Sequence, residues 1–166
     1  MKYGLFAGLA FIIYVLIEMS IFNQYNTQLS LANFGFYNLS FPFLFIATYI
    51  GIDSFNNESR ELKNQNLKFK DAALYGILIT FSFIILTTVF TYIYYNNFNK
   101  NISNTLINNI YTYSLLDIQL LNSPFIRNNL YFEFNTYYLI FQLIIYSIFG
   151  GFIASIINSL IIIKFK

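Results

Sequence analysis

Asn56 to Asp71 reads NNESRELKNQNLKFKD and holds close to half of the charged residues in a chain of 166. On each side lies sequence apolar enough to sit in lipid. If this stretch is a loop on the cytoplasmic face of a membrane, the number of crossings, their orientation and the position of both termini follow from it. The composition points the same way. Hydrophobic residues make up 57% of the chain and charged residues 10%, whereas a soluble domain carries roughly 25% charge. The length suits one domain, residues 1–166.

Working outward, the run before the loop, about 39–55, is a crossing whose Pro42 sits in a first helical turn, where its missing N–H does little harm. Asp53 marks its inner end, and Glu58 to Leu62 suits a short helical turn capped by Asn56 or Asn57. The run after the loop, about 72–95, closes on Tyr92, Tyr94 and Tyr95, aromatic residues of the kind that sit at headgroup level. A first crossing covers about 3–22 and a fourth about 137–163, each long enough at ~1.5 Å per residue to span a ~30 Å hydrocarbon core. The first run is too long for a cleaved signal, and Ser30-Leu31-Ala32 lies too far beyond it to serve as the cleavage site.

The uncharged stretch 23–38 and the longer segment 96–136 then fall outside. Leu106, Ile107, Ile110 and Tyr113 to Leu116 recur at helical spacing, which predicts an amphipathic helix between the third and fourth crossings, ended by Pro124. Lys and Arg fix the orientation. Lys2, Arg60, Lys63, Lys68, Lys70, Lys164 and Lys166 fall on one side, Lys100 and Arg127 on the other. The expectation is an all-α integral membrane protein of four transmembrane helices with both termini in the cytoplasm, in a bacterial inner membrane.

Few residues offer chemistry. Cys and His are both absent, which removes disulfides, ordinary zinc sites and every triad built on a His base. The chain has no Walker loop, dinucleotide-binding glycine turn or serine elbow, and nothing in their context makes Asp117 and Glu133 a carboxylate pair. A formal charge of +2 gives no reason to expect nucleic acid. The reading is of a protein with no catalytic residues, metal or cofactor.

Small residues four apart do stand out: Gly4 and Gly8 in the first crossing, Gly151, Ser155 and Ser159 in the fourth, with Gly150 beside them. Such spacing lets helix backbones approach closely. The spacing fits a homo-oligomer or partner interface, or packing of the first crossing on the fourth, and the second is the plainer reading. Glu18 is the one acid within the apolar part of a crossing, and Gln142 dots the fourth. An intramembrane carboxylate is a candidate polar site, although Glu18 lies ~24 Å along the helix from Lys2, near the outer interface. The hydroxyls of the third crossing, Thr80, Ser82, Thr87, Thr88 and Thr91, are read as bonding across helices or to their own backbone. The charged loop balances four bases with four acids once Asp53 is counted, so by itself it makes no anionic-lipid site.

Four stretches carry a family resemblance: Lys2 to Leu9, Tyr49 to Ile52, Leu67 to Ala72 with Gly76 following, and Gly151 to Ile157 ahead of Lys164 to Lys166. Over nearly its whole length the chain resembles a family of small inner-membrane proteins found in Bacteroidetes and catalogued only as a domain of unknown function. The resemblance implies four helices with a longer segment between the third and fourth, and no assigned activity. A second resemblance, in length and in Phe, Tyr and Ile content, is to the organelle-encoded sixth subunit of NADH dehydrogenase. That subunit has five spans and a glycine-bearing break in its third. The same Phe, Tyr, Ile and Asn bias fits an AT-rich genome. The function expected is that of a non-catalytic accessory or scaffold binding the bilayer, lipid or protein partners. A small transporter or channel using Glu18 and a respiratory-complex subunit are the alternatives.

Overall fold

The computed structural model describes residues 2–25, 40–63, 67–94 and 136–165, with side chains for all of these except 18–25, 62, 63, 136, 138 and 139. The described residues form four helices: α1 (Lys2–Tyr25), α2 (Ser40–Lys63), α3 (Phe69–Ile93) and α4 (Thr136–Phe165). Each overlaps one of the four apolar runs. The expected outer connector, 23–38, lies almost wholly outside the described residues, as does the amphipathic helix expected within 96–136.

One boundary differs from the sequence reading. Asn56 to Lys63, expected in a loop, is the continuation of α2. The segment contains neither Gly nor Pro, and Glu, Arg, Leu and Lys are good helix formers, so charge alone does not end the helix. Leu67 and Lys68 are non-helical, and Lys68 caps α3 in an extended conformation. Its carbonyl accepts the backbone N–H of both Asp71 and Ala72 at 3.1 Å. Asp71 in the first turn complements the positive helix end.

The helices alternate up and down. Phe11 of α1 meets Phe43 of α2 with ring centroids 5.7 Å apart, and Tyr3 donates a 2.8 Å hydrogen bond to Ser54 Oγ, so α1 and α2 run antiparallel. Phe55 of α2 stacks on Tyr75 of α3 at 4.5 Å. The start of α1, the end of α2, the start of α3 and the end of α4 therefore share one end of the bundle. In cross-section α2 and α3 form the central pair, and α1 and α4 flank it on opposite sides, with only marginal contact between them. The main core joins Phe11 and Val15 of α1, Leu44 of α2, Ile79 and Phe83 of α3 and Leu143 of α4. A smaller cluster of Ile52, Leu67, Ala72 and Ile162 closes the shared end.

Polarity is not distributed as in a water-soluble domain, for the interior mixes apolar and polar side chains while large apolar ones face outward. Thr48, Thr87, Ser147, Ser155 and Asn158 are fully buried, while Phe6 (66% exposed), Ile85 (64%) and Phe149 (66%) face outward. A surface of this kind loses free energy in water at roughly 25 cal/mol per Å² of apolar area and loses none in hydrocarbon. Among the described residues two stretches are long and apolar enough to cross a membrane, α3 and Ile140–Phe165 within α4, and α1 offers the shorter apolar stretch Lys2–Ile17.

Candidate functional site

The closest helix contacts converge on one turn of α3, Gly76 to Thr80. A methyl group added at Gly4 of α1 would strike the Ile79 carbonyl oxygen, and one at Gly51 of α2 the Ile79 side chain. One at Gly151 of α4 would strike Thr80, and one at Gly76 itself would come within 2.6 Å of Ser155 Oγ. Three helices thus approach α3 at one level, each through a residue with no Cβ. Gly8 meets Leu86 one to two turns further along, and a Cβ added at Gly150 would lie 3.1 Å from the Phe41 ring of α2.

This corrects the pairing expected for the small-residue faces. The first crossing does not pack on the fourth, because α2 and α3 stand between them. Gly4 and Gly8 lie against α3, Gly151 and Ser155 against α3, and Gly150 against α2. Small-residue spacing marks a face able to approach closely but carries no label for what it meets. Gly51 and Gly76 complete the contact from the other side; each follows an alanine by four positions, Ala47 and Ala72, a small-residue spacing that the sequence reading passed over.

The interior hydroxyls are spent mostly on their own helices. In α3, Thr80 donates to the Gly76 carbonyl at 3.1 Å, Thr87 to Phe83 at 2.9 Å and Thr91 to Thr87 at 2.7 Å. Ser82 donates to Leu78 at 2.9 Å. In α4, Ser155 and Ser159 each donate to the carbonyl four residues back at 2.6 Å. Such bonds remove the penalty of a bare hydroxyl in an apolar interior; Thr88, expected to bond likewise, instead has its Oγ1 buried without a partner among the described residues.

Asn158 is the exception. Fully buried, it donates from Nδ2 to the Phe45 carbonyl and to Thr48 Oγ1, both at 2.8 Å. Thr48 in turn donates to the Leu44 carbonyl at 2.7 Å. This is a true cross-helix link between α4 and α2, and its Oδ1 has no partner. Asn158 was readable as a polar residue needing a partner, but Thr48 was not singled out. Its signal is the register Leu44, Thr48, Ile52, the buried face of α2. Ser147 and Ser40 stand 3.5 Å apart, too far to contribute much. At the shared end Asn56 is 2% exposed, with its Nδ2 unpartnered.

The two candidate polar residues are not brought together by anything described. Gln142 is half-buried on α4. Glu18 belongs to α1, and its side chain lies outside the described residues. Among the described residues no group of three His, Cys, Asp or Glu is placed to hold a metal ion.

Against known families, the one described as "Protein of unknown function (DUF4199)" matches residues 2–164. The chain belongs to this family. The resemblance read from the sequence, to a family catalogued only as a domain of unknown function, is therefore the family found. No curated protein and no solved structure matches the chain. Membership in DUF4199 covers all four described helices, and the close-packed turn of α3 lies inside the matched region.

Proposed function

We propose that this DUF4199 protein is a four-span inner-membrane protein with both termini cytoplasmic, acting without catalysis as an accessory or scaffold that holds lipid or protein partners in the envelope. The observation that carries the reading is the apolar outside of the bundle, with hydroxyl and amide groups held within beside the apolar core. The shared position of the start of α1, the end of α4 and the α2–α3 connection adds to it. That one end takes Lys2, Arg60, Lys68, Lys70 and Lys164, and the bias of Lys and Arg toward the cytoplasm then sets the orientation.

The transporter reading gains little from α3, where Thr80, Ser82, Thr87 and Thr91 donate to backbone carbonyls and Thr88 Oγ1 alone among the described hydroxyls of that helix is buried without a partner. The respiratory-subunit reading calls for a broken third helix, and α3 is continuous from Phe69 to Ile93. The chain contains no native cysteine, so single-cysteine variants give a clean topology test. Cysteines at Lys2, Glu61 and Phe165, all exposed, should react with an impermeant maleimide only when it reaches the cytoplasmic face. Labelling of any one from outside sinks the four-span arrangement. For the accessory role, purification in mild detergent should yield bound lipid or a partner protein. A lone monomer free of both would count against it.

A further inference from the structure

The charged stretch taken alone is neutral, but the fold does not leave it alone. It brings Lys2 at the start of α1 and Lys164 at the end of α4 to the same end of the bundle as Lys68 and Lys70, and all four are exposed. Among the described side chains there, Lys2, Arg60, Lys68, Lys70 and Lys164 stand against Asp53, Glu58, Glu61 and Asp71. Lys63 and Lys166 belong to the same chain segments.

Each exposed lysine also has an aromatic neighbour. Lys2 Nζ lies 5.2 Å from the Tyr3 ring centroid and Lys164 Nζ 5.6 Å from that of Phe165, which is 75% exposed. Lys68 and Lys70 flank Phe69, 43% exposed. At two helix ends an ammonium group thus lies over a neighbouring ring, and at a third two exposed lysines bracket an exposed ring in sequence. An ammonium group serves a phosphate anion, and an exposed ring serves the boundary where headgroups meet acyl chains. A soluble phosphate has no use for the ring. We propose that this rim, Lys2, Lys68, Lys70 and Lys164 with Phe69 and Phe165, binds the headgroups of anionic phospholipids in the cytoplasmic leaflet. The proposal rests on the membrane reading above and names the lipid class that reading leaves open.

The test uses the full chain, with phosphatidylglycerol and phosphatidylcholine as probes and retention scored by native mass spectrometry from mild detergent. The wild type should retain phosphatidylglycerol at least tenfold better than phosphatidylcholine. Each Lys→Gln change should weaken retention about fivefold, from the usual contribution of one basic residue near an anionic surface. The quadruple variant K2Q/K68Q/K70Q/K164Q should lose the preference, and the quadruple Lys→Arg variant should keep it, with both matching wild-type helicity by circular dichroism. F69S/F165S should weaken retention of the anionic lipid. Equal retention of both lipids by the wild type, or an undiminished preference in the quadruple Gln variant, overturns the proposal. So does complete displacement by millimolar inorganic phosphate, which would make free phosphate the ligand. Failure of the membrane reading looks different: the protein would not float with vesicles of phosphatidylcholine alone.

Discussion

Among single residues, Asn158 and Gly4 matter most. Asn158 is fully buried and ties α4 to α2 through two 2.8 Å hydrogen bonds. Interhelical bonds in membrane proteins contribute about 0.6 kcal/mol on average and up to ~1.7. A double-mutant cycle of N158A and T48V, read by reversible unfolding in mixed micelles, should give a coupling energy in that range. A coupling of zero would mean that the amide and the hydroxyl do not meet. Gly4 tests close approach. Its added methyl group would meet a backbone carbonyl, which cannot rotate away, whereas at Gly150 it would meet the movable Phe41 ring. G4A should therefore cost about 1–3 kcal/mol, and G150A less than about 1 kcal/mol. Equal effects would contradict the helix contacts described.

At the scale of the helix, the decisive element is α2, which runs on from the apolar part through Asn56 to Lys63. Asn57→Pro removes an internal hydrogen bond and places a ring against the preceding turn, so it should destabilise the protein by about 3 kcal/mol. Amide exchange over 56–63 should be slowed in the wild type and fast in the variant. A neutral proline would return the segment to the loop that the sequence suggested. The apolar runs were legible because helices apolar on their outer as well as their inner faces need uninterrupted hydrophobic sequence, and α1, α3 and α4 carry few charges. The extension of α2 was not, because leaving the apolar zone changes composition without changing backbone conformation. The small residues at Gly4, Gly8, Gly151 and Ser155 announced close packing, but their partners depend on the order of helices around the bundle. That order is a long-range property, and no spacing within one helix encodes it. The bases at Lys2 and Lys164 were legible as topology signals. Their meeting with Lys68 and Lys70 at one rim needed the fold.

For the whole molecule, the arrangement to test is the central α2–α3 pair flanked by α1 and α4. The Cβ position at Gly8 lies 3.4 Å from Leu86 Cβ, close to the ~3.5–4.5 Å range for a disulfide. In a chain otherwise free of cysteine, G8C/L86C should cross-link readily under mild oxidation, as seen by altered mobility after cleavage between α1 and α3. The pair G8C/G151C, joining the two flanking helices, should not. The reverse result would replace this arrangement with one that puts α1 beside α4. The convergence on Gly76 to Thr80 also governs how such a bundle can move. Helices that touch α3 backbone-to-side-chain at one level cannot slide past it like pistons, since any axial step drives a Cβ into the notch that a glycine keeps open. What remains is a seesaw: tilting about that level, in which a wedge inserted between the helices at one end of the bundle spreads or closes them at the other.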